Sequence, residues 1–210
     1  MRVWIVAKAH YKHSALVHGL TEENQHIRLM RTNEFYPAEQ NLFEVGQIWD
    51  LSLSWQKPLR MPYKENMVFQ QAKPMTPETN LPALLRERVT PWQGPANKLF
   101  ERKLRSTMDA HKPFIAHQDP LPLKSMGYWQ PDIALSQCEG KDGHFYYLYK
   151  TEETEWLIQY AGFAPPLEVI PAQTLLHVAL FPWWIPDNLY ARTADSVVKE
   201  RAYLYIAGWY

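Results

Sequence analysis

The sequence lacks the features that mark several common protein classes. Cys138 is the only cysteine in the 210 residues, which excludes an internal disulfide and a zinc site built of cysteines. No run of about 18 apolar residues occurs, so a typical membrane-spanning helix is not expected. The opening stretch, residues 1–6, is too short and too strand-like for a secretory signal. We therefore expect a cytoplasmic protein.

The chain also lacks an excess of charge of either sign. It carries 22 basic and 22 acidic side chains, so its formal net charge is zero. A protein that follows phosphate groups usually shows a basic excess, so bulk charge does not favour nucleic-acid binding, whereas a local basic stripe stays compatible with it. Hydrophobic residues make up 46% and charged residues 21%, which indicates a globular chain and not a disordered tail.

Motifs for catalysis and for cofactor binding are missing as well. The sequence contains no GxSxG nucleophile elbow, no P-loop and no GxGxxG dinucleotide fingerprint. Cys138 is followed by His144, but a tight turn separates them and no third group orients the pair. His10, His13 and His18 span a loop and a strand and do not share one helical face, so their spacing does not suit a metal site. We expect no enzymatic activity, no cofactor and no metal.

Aromatic side chains and prolines, in contrast, are abundant. Aromatics make up 14% of the chain, with nine Trp and twelve Tyr, and such rings favour half-buried strands. Seventeen prolines shorten helices and populate loops. Alternating or apolar runs predict about five strands in residues 1–75 and about five more after residue 126. Between these regions, spacing and capping signals predict helices at residues 81–88 and 96–108.

Two similar hairpin patterns indicate an internal duplication. Residues 21–23 and 151–153 are both Thr-Glu-Glu, and each forms a polar turn between two apolar runs. Two further pairs match in the same order and at nearly the same spacing: residues 3–5 with 133–135, and residues 48–53 with 175–180. A repeated unit of about five strands fits a small barrel such as an OB-fold, and an SH3-like barrel or a single sandwich remain alternatives.

We therefore predict an all-β protein with two small OB-like five-stranded barrels joined by a helical connector. The first barrel is expected to take residues 1–75. The helical, proline-rich connector takes residues 76–121, and the second barrel takes residues 122–210.

Four segments also carry a family resemblance: residues 3–8 (VWIVAK), 43–50 (FEVGQIWD), 127–132 (GYWQPD) and 203–210 (YLYIAGWY). They resemble the dual OB-containing domain family of prokaryotic proteins, and the likeness spans nearly the whole chain. The resemblance implies two OB-type barrels, nucleic-acid binding and an association with bacterial conflict or antiviral defence systems. It implies no catalytic centre.

The loop between the first two predicted strands is the preferred candidate binding surface. In an OB barrel this connection borders the ligand face. Lys8, Tyr11 and Lys12 would supply charge and a stacking ring, which binding of single-stranded nucleic acid requires. His10 and His13 belong to the same polar loop. The alternative is an ordinary surface loop.

Two further surfaces are candidates. The predicted helix at residues 96–108 carries basic side chains on its polar side, either as a solvated face or as a phosphate-contacting stripe: Lys98, Arg102, Lys103 and Arg105. Trp183 and Trp184 lie in a proline-bounded segment that leaves the sheet, so we expect this pair to be partly exposed and open to base stacking. Most other aromatics of the second half are expected to form its core.

These patterns together predict a non-catalytic binding module. The first-choice ligand is nucleic acid, either single-stranded DNA or RNA or a structured form. The alternative is a protein–protein adaptor that holds an effector through exposed aromatic surface, which the neutral net charge favours. Salt separates the two functions, because phosphate contacts weaken steeply as the salt concentration rises.

Overall fold

The computed structural model describes residues 1–31, 35–37, 42–108, 110–140, 142–185 and 200–210. Within these ranges the chain forms sixteen β-strands, one α-helix and one irregular 3-10 helix. None of the helices described is long and apolar enough to cross a membrane.

The first six strands build a closed barrel with one short addition. They are β1 (Arg2–Tyr11), β2 (Ser14–Thr21), β3 (His26–Met30), β4 (Tyr36–Pro37), β5 (Ile48–Trp55) and β6 (Asn66–Pro74). Around the barrel the order is β1-β2-β3-β6-β5 and back to β1, with β4 added at the edge of β2. The β3–β6 pairing is parallel and the other pairings are antiparallel. This is the small Greek-key barrel of an OB-fold.

The connector contains the first predicted helix and not the second. Helix α1 (Leu81–Arg88) begins where the Asn80 side chain accepts a hydrogen bond from the Ala83 N–H, at 3.2 Å. The helix predicted at residues 96–108 is wrong: the chain forms an irregular 3-10 helix, Ala96–Arg102, in which Phe100 has a positive φ of 49°. Phe100 is fully buried against Trp92, so tertiary packing overrides the helical spacing of the apolar residues here.

The connector also supplies three short strands, β7 (Trp92–Gln93), β8 (Arg105–Ser106) and β9 (Pro113–Ala116). The second half then adds seven more: β10 (Met126–Gln130), β11 (Leu135–Glu139), β12 (Phe145–Lys150), β13 (Glu155–Tyr160), β14 (Val169–Ile170), β15 (Leu176–Leu180) and β16 (Arg201–Trp209). They form one large sheet in the order β14-β11-β12-β13-β16-β15-β10-β7, with β9 paired to β16 and β8 to β9.

This large sheet repeats the strand order of the first barrel. Strand β10 pairs with β15 as β1 pairs with β5, and β11 pairs with β12 as β1 pairs with β2. Strands β10 and β11 are therefore two parts of one first strand, interrupted at residues 131–134. The parallel β13–β16 pair takes the place of β3–β6. The predicted fold, all-β with two OB-like units and a helical connector, is confirmed.

Two of the three segment matches lie on equivalent strands and turns, and the third lies at the interruption between β10 and β11. The two Thr-Glu-Glu turns connect β2 to β3 and β12 to β13, while residues 48–53 and 175–180 lie on or beside β5 and β15. The third match, of residues 3–5 with 133–135, falls at the interruption of the first strand, where only Leu135 belongs to a strand. Val3 pairs with Trp49 on β5, and the residue that pairs with β15 at this point is Trp129. Residues 133 and 134 lie in the interruption that follows Pro131, which ends β10.

Strand β1 is buried on both faces, because it lies between two cores. Val3 and Ile5 point into the first barrel, where they pack with Phe43. Trp4 and Val6 belong to a different cluster, formed with α1 and the second sheet: Leu20, Leu81, Leu85, Val89, Tyr128 and Leu175. A bulge between Ile5 and Ala7 changes the register within the strand.

A buried polar cluster joins the two barrels; we call it the joint, formed by His18, Arg28, Glu65, His177 and Tyr205. The Arg28 guanidinium donates from Nη2 to the Leu180 carbonyl at 3.1 Å, across the barrel boundary. His18 Nε2 lies 2.9 Å from the Tyr205 hydroxyl. Glu65 accepts hydrogen bonds from the Ser125 N–H and hydroxyl, at 3.1 and 2.9 Å. Strands of both barrels are thus tied by polar contacts away from water.

Candidate functional site

A cleft of about 1100 Å³ opens where the end of β1 meets the second sheet. Its walls include the turn after β1, parts of β12 and β13, the segment after β13 and the chain around Trp184. We call it the inter-barrel cleft and define it by six side chains: His10, Lys12, Tyr146, Phe163, Trp184 and Arg201. The first two come from the first barrel and the other four from the second half of the chain.

The end of β1 is fixed in the cleft by backbone contacts to the second barrel. The His10 N–H donates to the Ala161 carbonyl at 2.7 Å, and Ala9 forms an isolated bridge with Gly162. A Cβ at position 162 would lie 2.6 Å from the Ala207 carbonyl oxygen, so only glycine permits this close approach. The two-residue turn that begins at Lys12 therefore projects from a rigid support.

A stacked pair of rings forms one side of the cleft. The His10 and Phe163 rings lie 3.8 Å apart between centroids, with an interplanar angle of 11°. Lys8 Nζ lies 4.7 Å from the Phe163 ring centroid and 2.9 Å from Glu44 Oε1. Because Lys8 is only 5% exposed, it holds the ring in place and does not reach solvent. Burial, together with the Lys8 charge, lowers the pKa of His10, so this ring is neutral near pH 7.

The remaining residues of the predicted loop have separate roles. The Tyr11 ring is half-buried and stacks on Phe181, with 5.7 Å between centroids. Lys12 is exposed, and its ammonium lies 5.5 Å from the Tyr11 ring centroid. In the part of the chain that is described, Lys12 has no carboxylate partner. His13 is exposed at the tip of the turn and does not line the cleft.

A hydrogen-bonded triad of Lys112, Asp142 and Tyr146 lies on the opposite wall. Lys112 Nζ donates to Asp142 Oδ2 at 3.0 Å, and the Tyr146 hydroxyl donates to the same oxygen at 2.6 Å. Burial opposes the Asp142 charge, but the bonds from Tyr146 and Lys112 outweigh it and lower the pKa of Asp142 to about 2. Burial likewise opposes the Lys112 charge, and its two partners still raise the pKa of Lys112. Both groups are therefore charged at neutral pH.

The charges in the cleft are unbalanced. Lys12, Lys112 and Arg201 carry permanent positive charge there, and Asp142 is the carboxylate that lines the cleft among the described residues. The Arg201 guanidinium lies 4.5 Å from the Phe114 ring centroid and 3.3 Å from the Tyr203 hydroxyl. A locally positive surface thus exists in a chain whose net charge is zero.

The two adjacent tryptophans have different environments. Trp184 lines the cleft, is 39% exposed and lies 6.0 Å from the Tyr203 ring. Its backbone N–H and carbonyl both pair with Arg201. Trp183 is partly buried, and its indole N–H donates to the Met61 carbonyl at 3.3 Å. Of this pair, Trp184 is the one that presents a ring to the cleft.

The four basic residues of the connector do not join this site. They do not share a helical face, because the predicted helix is absent, and none of them lines the cleft. Lys103 Nζ donates to the Leu121 carbonyl at 2.7 Å, and Arg105 lies 2.8 Å from Asp119. Lys98 and Arg102 are exposed elsewhere on the connector. Two of the four cations are therefore already engaged with neighbouring groups.

The histidines and the single cysteine form no reactive centre with one another. His10 lies in the cleft, His13 at the turn and His18 in the joint, so the three rings do not converge. Across the described ranges, no group of three or more His, Cys, Asp or Glu side chains is placed to hold a metal ion. Cys138 Sγ lies 3.6 Å from the Tyr146 carbonyl, and burial raises the pKa of the thiol, which keeps it protonated.

Several residues of the cleft were not predicted as site residues from sequence, among them Lys112, Asp142, Phe163 and Arg201. Phe163 had a usable signal, because the stretch at residues 161–166 (AGFAPP) places a lone aromatic among glycine and prolines outside a strand. Lys112 and Arg201 had none, since both are placed by the β9–β16 pairing, which joins residues 114–116 to residues 201–203.

Comparison with known proteins agrees with the fold. The sequence model of the dual OB-containing domain family matches residues 1–209. No curated protein matched the sequence.

Several solved structures are similar over almost their whole length, but at low TM-scores. The p204 HINb domain is 12% identical with a TM-score of 0.36, covering 98% of this chain and 95% of that one. A structure described as structural mimicry for functional antagonism is 12% identical with a TM-score of 0.37, covering 99% and 91%. A murine DNA-binding protein bound with double-stranded DNA is 10% identical with a TM-score of 0.28, covering 99% and 97%. Similarity at this level carries no argument about function.

Proposed function

The chain belongs to the dual OB-containing domain family, and on that premise we propose that it is a non-catalytic protein that binds single-stranded or unpaired nucleic acid in the inter-barrel cleft. The observation that carries the proposal is the combination of open aromatic rings with unbalanced positive charge in one cleft between two OB barrels. Such barrels bind oligonucleotides through a strand face and adjoining loops.

The aromatic rings supply sequence-tolerant contacts. Trp184 is 39% and Phe163 is 40% exposed, and both line the same cleft. Bases stack on such rings regardless of sequence, because every base has a π-face, and each stacked base contributes about 1–3 kcal/mol. The stack of His10 on Phe163 fixes the orientation of that ring before a ligand arrives, which lowers the entropic cost of binding.

The cations supply the contacts to phosphate. Lys12 and Arg201 reach the cleft from opposite barrels, so a strand that lies along it would meet positive charge on both sides. A duplex presents its bases stacked and paired, so the rings of the cleft would add little to its binding. We therefore expect single strands to bind more tightly than duplexes of the same length.

Two further parts of the proposal have different grounds. A role in a bacterial conflict or antiviral defence system depends on the family resemblance alone, and a cytoplasmic location depends on the sequence features given above. Absence of enzymatic activity is also a proposal. It is supported by the protonated Cys138 thiol and by the lack of the GxSxG, P-loop and GxGxxG motifs in the sequence.

Fluorescence anisotropy tests the proposal with labelled single-stranded DNA, single-stranded RNA and duplexes at about 50 mM salt. We expect Lys12→Gln to weaken binding and to lower its dependence on salt. Lys98→Gln is the matched control, because Lys98 is an exposed lysine outside the cleft. Failure to bind any of these nucleic acids at tens of micromolar would remove the proposal, and an effect of Lys98→Gln alone would move the site to the connector.

The second candidate is a protein adaptor that docks an effector through exposed aromatic surface. The neutral net charge favours it, because long-range attraction to nucleic acid is then weak. It predicts co-purification with a partner protein and binding that changes little with salt. Steep salt dependence of nucleic-acid binding would argue against it.

A further inference from the structure

A second pocket, of about 670 Å³, lies at the end of the first barrel away from the Lys12 turn. It is lined by the loop that joins β5 to β6, by the turn between β2 and β3 and by Lys124 of the connecting chain. We call it the β5–β6 pocket. It shares no lining residue with the inter-barrel cleft.

Two of the side chains that line this pocket are apolar and open to solvent. Trp55, the last residue of β5, is 54% exposed, and Leu59 in the following loop is 57% exposed. Tryptophan side chains are mostly buried in folded proteins. The exposed Trp55 indole and the exposed Leu59 side chain therefore form a surface that can bind a flat ring.

The rim of the pocket is positively charged. Lys57, Lys64 and Lys124 all line it and are all exposed, and none of the three is paired with a carboxylate that the structure describes. The carboxylate of the pocket, Glu65, faces inward to Ser125 and is 7% exposed. Burial raises the pKa of Glu65, and its carboxylate oxygens are already engaged by the Ser125 N–H and hydroxyl.

We propose that the β5–β6 pocket binds a nucleotide, with its base against Trp55 and its phosphate among Lys57, Lys64 and Lys124. The pocket lies within the usual volume of small-molecule sites, about 300–1000 Å³. An open indole suits a base, and three unpaired ammonium groups suit a phosphate, which carries about two negative charges. An acidic peptide would satisfy the lysines and leave the ring unused. This site does not depend on nucleic-acid binding in the cleft.

Nuclear magnetic resonance of the tryptophan indole N–H groups tests this proposal with the intact chain. The Trp55 signal is assigned by its loss in Trp55→Phe, and the chain is titrated with AMP, adenosine and a short single strand. We expect AMP to shift the Trp55 signal to saturation and adenosine to bind several-fold more weakly, because it lacks the phosphate. Comparison of AMP with the strand shows whether a free or a linked nucleotide is the better ligand.

Variants of exposed residues sharpen the result without unfolding the chain. Trp55→Ala should weaken AMP binding about tenfold. A triple variant with Gln at positions 57, 64 and 124 should weaken AMP binding similarly and reduce the dependence of this binding on salt. Lys73→Gln is the matched control, because Lys73 is exposed on β6 outside the pocket. Thermal unfolding of each variant checks that the fold is kept.

Three results would overturn the proposal: no shift of the Trp55 signal at millimolar AMP, equal affinity for adenosine and AMP, or tighter binding of a glutamate-rich peptide than of AMP. Trp184→Ala separates this site from the cleft. It should weaken strand binding at the cleft and leave the response of Trp55 to AMP unchanged, so either proposal can fail alone.

Discussion

The joint and the inter-barrel cleft lie along the same boundary between the two barrels and use similar side chains in opposite ways. In the joint, Arg28, His18 and Tyr205 are completely buried, and Arg28 donates to the Leu180 carbonyl and the Asn66 side chain. In the cleft, Lys12 and Trp184 are exposed, and their charge and ring face are open to solvent.

The two regions differ in solvent exposure: cationic and aromatic side chains are buried in the joint and exposed in the cleft. A buried guanidinium must bond within the protein, because an unsatisfied buried charge is costly, and so the joint holds the barrels in a fixed relation. An exposed cation beside an open ring costs little and remains available to a ligand. The joint therefore fixes the relation between the two halves of the candidate site, to which both barrels contribute side chains.

The largest effect is expected when the buried guanidinium of Arg28 is removed from the joint. Arg28→Met would leave the Leu180 carbonyl and the Asn66 amide oxygen without this donor. We expect a loss of about 3 kcal/mol in the free energy of unfolding, measured with urea. Arg86→Met, on the exposed face of α1, is the matched control and should change little. A loss below about 1 kcal/mol for Arg28→Met would show that the joint is not held by its polar contacts.

Lowering the pH should reduce the stability that the joint provides before it changes the cleft. Burial, followed by the His177 and Arg28 charges, holds the pKa of His18 well below its ordinary value, and burial does the same for His177. An unfolded histidine titrates near pH 6.5, so below that pH the unfolded chain takes up protons that the folded joint refuses. Stability is complete above about pH 7 and falls with pH, by roughly 2 kcal/mol per histidine at pH 5.

Unfolding in urea between pH 7.5 and pH 5 measures this effect. His177→Phe should reduce the dependence, because it removes one of the two buried histidines that the folded chain keeps neutral. No bond to Nδ1 is lost, since this atom has no hydrogen-bond partner in the described structure. His13→Gln, at the exposed turn, should leave it unchanged. Glu65 acts in the opposite direction, since burial raises its pKa and acid then favours the folded state. A slope equal in wild type and His177→Phe would contradict the account.

In the inter-barrel cleft, loss of the exposed Trp184 ring should weaken binding of a single strand and leave the stability of the fold unchanged. Trp184→Ala removes a stacking partner worth about 1–3 kcal/mol per base, so the affinity for a single strand should fall by about tenfold. Trp183→Phe is the adjacent control, because Trp183 packs near Met61 and does not line the cleft. Anisotropy titrations compare the two, and equal losses for both variants would mean that Trp184 has no special role.

The smallest expected effect is a gain. Asp142→Asn removes the carboxylate charge from the cleft and keeps one oxygen that can accept from Lys112 and Tyr146. It gives up the bond from the His144 N–H to Oδ1. Affinity for a single strand should rise by about threefold at low salt, since one repulsive charge is lost. Glu153→Gln, in the exposed turn between β12 and β13, serves as the control. A fall in affinity for Asp142→Asn would indicate that Asp142 contacts the ligand directly.

The strand architecture could be predicted because its signals are local. The Thr-Glu-Glu turns and their flanking apolar runs lie within a few residues of each other, and both proved to be hairpin turns at equivalent places. The prediction of a helix at residues 96–108 was wrong. The spacing of apolar residues there reflects burial of Leu99 and Phe100 in the second core and not a helical face. Local periodicity cannot distinguish these causes.

The candidate site was only partly predictable, because it is assembled across the barrel boundary. His10, Tyr11, Lys12 and Trp184 were identified from loop position and from proline-bounded exposure, and the structure places all four in one cleft. Lys8 carries the right charge but is buried beside Glu44, which its position on β1 does not reveal. Lys112 and Arg201 reach the cleft through the β9–β16 pairing, which joins strands far apart in the sequence.

The most direct test of the central claim is photocrosslinking of the intact chain to a single strand that contains bromouridine, with the attachment sites mapped by mass spectrometry. The account predicts crosslinks to the rings of the inter-barrel cleft, Phe163, Trp184 or Tyr203. Crosslinks confined to other surfaces, such as Trp55 or the connector, or none under conditions where the strand binds, would contradict it.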